Sequence, residues 1–326
     1  MSRMLKAVLV VVCCFAVTLA RGEDYSSYPT KPVEATVQWA AGGGADLVFR
    51  ILAEVFPKYA NGETLVIKNV PGAAGVTGCV EFLNTAAPDG YKIMHWSNAH
   101  VSKMHMSVVD YNIDSYEPVI QIVESANYLL VQADAKWKTL EEFVADAKDN
   151  PGDVTIGNAG VGGGNHLAAL LFEQTTGAEF LHVPFNGGSG AITGLLSGQV
   201  DAVMANSPEG MNNVDGKQFR ILVTCGSKRF EKYPEVPTFQ DAGYDMVIEQ
   251  WRGIAVPKGT PKELIARIHD IIKKCIEDEV YITKVKAMDA LPAYRNTADF
   301  DAFIRAEDAR FENLIKSRGF GDRYKK

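Results

Sequence analysis

The chain has 326 residues, of which 47% are hydrophobic and 22% charged, and a formal net charge of −7. This composition excludes a disordered chain and is long enough for two lobes with separate cores. The acidic balance argues against nucleic acid or an anionic membrane as partner.

The first residues, MSRMLKAVLVVVCCFAVTLARG, place Arg3 and Lys6 ahead of an apolar run from Ala7 to Ala20. Small residues at Thr18 and Ala20 complete a signal-peptidase site, so residues 1–20 are expected to be a cleaved export signal and the mature protein to be periplasmic. A retained anchor is the alternative, and the run is short for it. Lipidation is disfavoured because Cys13 and Cys14 lie inside the run and follow Val12. Loss of Arg3 and Lys6 takes the net charge from −7 to −9. Cys79, Cys225 and Cys275 remain, too few and too far apart for a disulfide framework, and they read as buried apolar residues.

From Glu34 a short apolar run, a glycine-rich loop and a helix-period pattern recur, which is α/β grammar. The first unit is ATVQW, AAGGGA and a helix with Leu47, Val48, Ile51, Leu52, Val55 and Phe56 on one face. The second is DVTIG, NAGVGGGN and a helix striped by Leu167, Leu170 and Leu171 that Gly177 ends. In the third, FLHVPF leads through NGGSG to a helix with Ile192, Leu195 and Leu196 at helical spacing. Further on, Thr260, Pro261 and Glu263 form the pattern of a capping box, and Thr297 is placed to cap the last helix. Extended runs from Pro118 and from Phe219 lack a glycine loop and are candidates for strands that cross between lobes. Lobe one is then residues 24–122 plus 224–326 and lobe two residues 123–223, with hinges near Ile122–Glu124 and Leu222–Thr224.

Where a strand passes to a helix through glycines, backbone N–H groups converge at the positive end of the helix and can hold an anion. Ala41–Ala45 and Gly160–Asn165 both qualify; they contain no lysine or arginine, and Arg50 is spaced to pair with Asp46. Neither loop is a Walker or dinucleotide motif, since no Gly-Lys-Ser/Thr is present and both fail at the third glycine of G-x-G-x-x-G. Gly187-Gly188-Ser189-Gly190-Ala191 misses a hydrolase elbow by its last residue. Met94, His95, His100, Met104, His105 and Met106 could bind copper, but their spacing fits one face of neither a strand nor a helix, so core methionines and surface histidines are expected. His166 reads as a hydrogen-bond partner that fixes its loop. Trp39, Phe185 and Trp251 could stack on a planar ligand or serve as packing.

The pieces YPTKPV, AAGGGADLVFR, NVPGAAGVTG, APDGYKI, AGVGGGNHLAALLF, HVPFNGGSGAITGLLSGQVDAVM, YPEVPTFQDAGY and WRGIAVPKGTPKELI follow one another from Tyr28 nearly to the end. In that order they resemble the substrate-binding receptors of tripartite tricarboxylate transporters, the Bug or TctC receptors. The resemblance implies an α/β, two-lobed, type II-like periplasmic-binding fold with two crossing strands, and a monomer that delivers a small carboxylate to integral membrane subunits without cofactor, metal or catalysis. It places the ligand against Trp39, Ala41, Gly43, Gly44 and Ala45 in lobe one and Gly160, Gly162, Gly163, Gly164, Asn165 and His166 in lobe two, with Phe185, Asn186, Gly187, Ser97, Asn98 and Asn206 lining the same cleft. The chain departs from the family pattern at Gln38-Trp39, Gly44-Ala45, Gly163 and Phe185-Asn186, which shifts the weight of recognition to the backbone. A ligand-sensing subunit for a membrane signalling protein would use the same cleft.

Overall fold

A computed structural model describes residues 24–317 and Gly319; the expected cleavage site after residue 20 lies outside them. In chain order the elements are β1 (Val33–Val37), α1 (Gly44–Tyr59), β2 (Leu65–Asn69), α2 (Val76–Thr85), β3 (Lys92–Ser97), α3 (Asn98–Met106), β4 (Tyr116–Gln132) and α4 (Leu140–Asp149). Then come β5 (Thr155–Asn158), α5 (Gly164–Thr176), β6 (Leu181–Pro184), α6 (Gly188–Leu196), β7 (Ala202–Asn206), α7 (Met211–Asp215) and β8 (Phe219–Thr224). The chain closes with β9 (Glu249–Pro257), α8 (Lys262–Ile276), α9 (Glu279–Lys286), β10 (Leu291–Arg295) and α10 (Thr297–Ser317).

The strands run in the order β2-β1-β3-β9-β4-β7-β5-β6. On one side β2, β1 and β3 are parallel; on the other β7, β5 and β6 are parallel. The long strand β4 joins them: Tyr116 to Ala126 pair antiparallel with β9, and Asn127 to Gln132 with β7 and β8. This repeats one α/β half on either side of a shared strand, as the recurring sequence grammar implies. One core gathers Val37, Phe49, Leu52, Phe56, Ile254, Ile268 and Ile272 within the first half; a second includes Leu129, Phe143, Phe172 and Phe180 and runs on across the junction to Trp96, Trp251 and Phe300 of the first half.

The second passage between halves differs from the expectation. The strand from Phe219, β8, pairs with Tyr128 to Gln132 of β4 and stays in that half, while β9 pairs with β3 and the first part of β4. The return therefore begins at Glu249, opposite Ala126. β8 is an apolar run because one half buries it. The crossing strand is harder to see because its sequence, EQWRGIAVP, carries a charge and a glycine. Gly253 is needed there, since a methyl group would overlap the Phe300 ring of α10.

Local punctuation needs three corrections. The Thr260 hydroxyl donates to Pro257 O, and α8 starts at Lys262 with no side-chain cap. α10 is capped by Asn296, whose Oδ1 accepts from Asp299 N at 3.0 Å, while the Thr297 hydroxyl donates to Val119 O. On α6, Leu195 is buried but Leu196 is exposed. Other expectations hold: Gly177 ends α5 with a φ of 71°, and Cys79, Cys225 and Cys275 are buried free thiols. No helix among the described residues is long and apolar enough to cross a membrane.

Candidate ligand-binding site

The glycine loops after β1 and β5 share one hydrogen-bond plan. Gly42 N donates to Asp46 Oδ2 at 2.8 Å, and Gly162 N donates to His166 Nδ1 at 2.9 Å. Gly43 N donates to Ala40 O and Gly163 N to Gly160 O. Gly42 and Gly162 have φ values of 80° and 78°, in the left-handed region that glycine adopts without strain. Gly43 and Gly163 are the N-caps of α1 and α5, with φ values of −77° and −74°. The side chain in each first helical turn thus locks its own loop. His166 is a loop-fixing partner, as expected, and Asp46 does the same work opposite.

This plan corrects the simple picture of free donors. The N–H groups of Gly42, Gly43, Gly162 and Gly163 already have acceptors within their loops, and Gly160 N donates to Asn158 Oδ1. Gly44 N, beyond the cap, points across the cleft to Glu209 Oε1 at 3.4 Å. Asp46 also pairs with Arg50 at 2.8 Å and accepts from Asn69. Burial pushes its carboxyl up, but Arg50, the Gly42 N–H and Asn69 outweigh that and hold it below the usual range.

The two loops meet. A Cβ built on Gly163 would lie 3.7 Å from Trp39, and one on Gly187 would lie 3.8 Å from Ala40. Between them is an inner chamber of about 40 Å³, lined by Trp39, Gly43, Gly44, Ala45, Ser97, Gly163, Gly164, Asn165, Gly187 and Asn206 of the expected residues. An outer chamber of about 300 Å³ is lined by Trp39, Gly160, Phe185, Asn186, Gly187 and the turn from Pro71 to Gly75. Four expected residues line neither chamber. Ala41 is exposed; Asn98 turns away to donate to Glu249 O, which steadies the crossing strand; Gly162 lies against the Lys103 side chain; His166 sits behind its loop. Trp251 is packing, buried against Phe300 and Phe303 with its indole N–H on Glu307.

Sequence reading missed the charged floor. Arg252 of β9, 4% exposed, donates to Ser125 Oγ at 2.9 Å and to Asn206 Oδ1. Asn206 Nδ2 reaches Asn165 Oδ1 at 3.1 Å and Glu209 Oε2 at 3.3 Å, and Gln250 donates to Asn165 Oδ1. Burial pushes the Glu209 carboxyl up, against the pull of Arg252 and the Gly44 N–H. Lys103, mostly buried, donates to Val161 O at 2.8 Å beside the outer chamber. Arg252 sits in a strand that sequence reading did not assign to the cleft, and Glu209 follows Asn206 by three residues with no motif around it.

The histidines also need correction: His95 and His100 are buried, not on the surface. Ser97 N and Ser97 Oγ meet His100 Nδ1 at 3.0 and 3.1 Å. A serine and a histidine therefore touch at the chamber wall, but burial pushes the imidazole pKa down to about 3, which makes it a poor base near neutrality. The contact caps α3. His105 pairs with Asp308.

Comparison with known proteins shows the family and agrees with the fold. The sequence profile of the tripartite tricarboxylate transporter family receptors matches residues 48–320. A UPF0065 protein from the gbd 5' region of Cupriavidus necator is 31% identical over 291 residues, 88% of this chain and 87% of that one. Protein BugT of Bordetella pertussis is 26% identical over 98% of both chains. The structure of the periplasmic binding protein BugD is similar with a TM-score of 0.85 and 26% identity, over 90% of this chain and 99% of that one.

Proposed function

The chain belongs to the tripartite tricarboxylate transporter receptor family, and from that membership we propose that it is an exported periplasmic receptor, acting as a monomer. It captures a small organic acid between its halves and delivers it to integral membrane subunits, with no chemistry on the ligand. The observation that carries this reading is the pair of matched glycine loops, each opening a helix, facing each other across one chamber. Main-chain donors near the starts of α1 and α5, directly or through water, take the charge of the acid, since a helix N-terminus favours an anion. The lobes are residues 24–122 plus 224–326 and 123–223 in outline, and the strand pairing supports moving the second passage to Glu249.

A thermal-shift screen of organic acids on protein starting at Arg21 tests the reading. An acid at one hundred times its dissociation constant stabilises the folded state by about 2.7 kcal/mol. At least one acid should raise the melting temperature clearly; no shift with any small carboxylate would contradict the proposal.

A further inference from the structure

Glu209 stands where an acid would put its charge. Its Oε1 accepts from Gly44 N, at the start of α1, at 3.4 Å, and its Oε2 accepts from Asn206 Nδ2 at 3.3 Å. The carboxylate also covers Gly188, the first residue of α6, where an added methyl group would overlap it. Arg252 pulls on it electrostatically, and Asn165 of α5 adds a hydrogen bond. The pull is mutual, since Glu209 supports the charge of Arg252 against its burial.

The backbone of Glu209 is fixed. Tyr128 Oη donates to Glu209 O at 2.7 Å, Glu209 N donates to Asn206 O at 2.8 Å, and a methyl group on Gly210 would overlap Leu130 and Ile192. The side chain is part-exposed, so it can swing out on its rotatable bonds while the loop stays in place.

Charge and space make the position single. One guanidinium balances one carboxylate, and a second carboxylate at close range is disfavoured by like charge. The inner chamber, about 40 Å³ beside Glu209, has room for about one or two waters, whereas the outer one, about 300 Å³, can take the body of an acid. An acid whose carboxylate reaches the starts of α1 and α5 must therefore replace the Glu209 carboxylate, not join it.

We propose that Glu209 is a tethered occupant of the empty site: the chain's own carboxylate fills the anion position between α1, α6 and Arg252, and ligand binding exchanges one carboxylate for another. The exchange keeps Arg252 paired in both states. It also weakens the apparent affinity for every acid by the fraction of molecules in which Glu209 has swung out. The inference rests on the cleft being the ligand site and does not depend on which acid binds.

The probe is formate, a carboxylate with no body to hold, compared with chloride at the same ionic strength by titration calorimetry and melting curves. Glu209→Ala vacates the position, so formate should bind this variant at least about tenfold more tightly than wild type, the ratio for a site left open in about one molecule in ten. Formate, and not chloride, should raise its melting temperature. Glu209→Gln keeps the shape and loses the ionic hold; it should move in the same direction and decides the matter if the alanine variant does not fold. Glu209→Asp keeps the charge but falls short of Gly44 N, so it too should bind formate more tightly than wild type. Equal formate binding by wild type and the neutral variants, or none by any of them, would overturn the proposal. So would tightening in Glu209→Gln with wild-type affinity in Glu209→Asp, because Glu209 would then act as a distant charge and not as an occupant. The organic-acid screen keeps two failures apart. Acids that stabilise wild type and Glu209→Gln equally overturn the tether and leave the cleft reading standing, whereas no stabilisation of either protein counts against both.

Discussion

Arg252 is a cation buried in the floor of a chamber proposed to receive a charged ligand, so its removal should be costly in a specific way. Arg252→Met leaves Ser125 Oγ and Asn206 Oδ1 without their charged donor and Glu209 without its counter-charge. Hydrogen bonds to a charged group contribute about 1.5–3 kcal/mol each, and breaking a buried charge pair on one side costs about 3–5 kcal/mol in all. The second range already contains the first, so the expected loss is about 3–5 kcal/mol. Glu209→Gln in the wild-type background should cost about 1 kcal/mol or less, because Gln keeps an acceptor for Asn206 and the raised carboxyl pKa shows that the charge is held against a desolvation penalty. In the Arg252→Met background the same change should instead stabilise, by about 1–3 kcal/mol, since it removes an uncompensated buried charge; coupling of that size is usual for groups in one network. Urea unfolding of the four ligand-free proteins reads the cycle. Equal costs of Glu209→Gln in both backgrounds would refute the view that the floor is one coupled charge unit.

Two further expectations concern protons and shape. Burial holds the His100 imidazole down at about 3 and lowers His95 well below its ordinary 6.5. The unfolded chain takes up these protons below pH 6.5 and the folded chain does not, so stability is full above 6.5 and falls as the pH drops toward 3, by up to about 1.4 kcal/mol per pH unit for each histidine. Urea unfolding at pH 7.5, 6 and 5 should show this slope, and His100→Gln should reduce it by about the share of one histidine; an unchanged slope would contradict the assignment. Small-angle scattering should show a smaller radius with bound ligand, because the halves close about β4 near Ala126 and β9 near Glu249. An identical radius in both states would argue against hinge closure.

The backbone scaffold was largely legible because it is written in periodicity and glycine. The α1 stripe is visible at 3.6-residue spacing, and the GGG runs mark both loops before any coordinate is known. What could not be read depends on contacts distant in sequence. β8 and β9 differ in role only through which part of β4 they meet. Thr260 and Thr297 satisfy a local capping pattern, yet their hydroxyls bond to Pro257 O and Val119 O. Glu209 and Arg252 become a pair only when Asn206 bridges them. The histidine segment misled for the same reason: His95 and His100 are polar in sequence, but Gln38 and Ser97 give them partners that permit burial.

The central claim is that matched backbone loops hold the acid, and one calorimetric comparison tests it. The acid that stabilises the protein most is titrated into wild type, Gly163→Val and Arg50→Gln. Gly163 has an ordinary φ, and a Cβ there would lie 3.3 Å from Gly160 O and 3.7 Å from Trp39 at the chamber wall, so valine crowds the cleft at the cost of a small shift in its own loop. Arg50 is half-exposed and committed to Asp46. Gly163→Val is predicted to lose binding by a hundredfold or more with little change in melting temperature, and Arg50→Gln to stay within about threefold of wild type, the scale of an exposed ion pair. Retained binding in Gly163→Val together with its loss in Arg50→Gln would contradict the account, because a side-chain cation would then carry recognition.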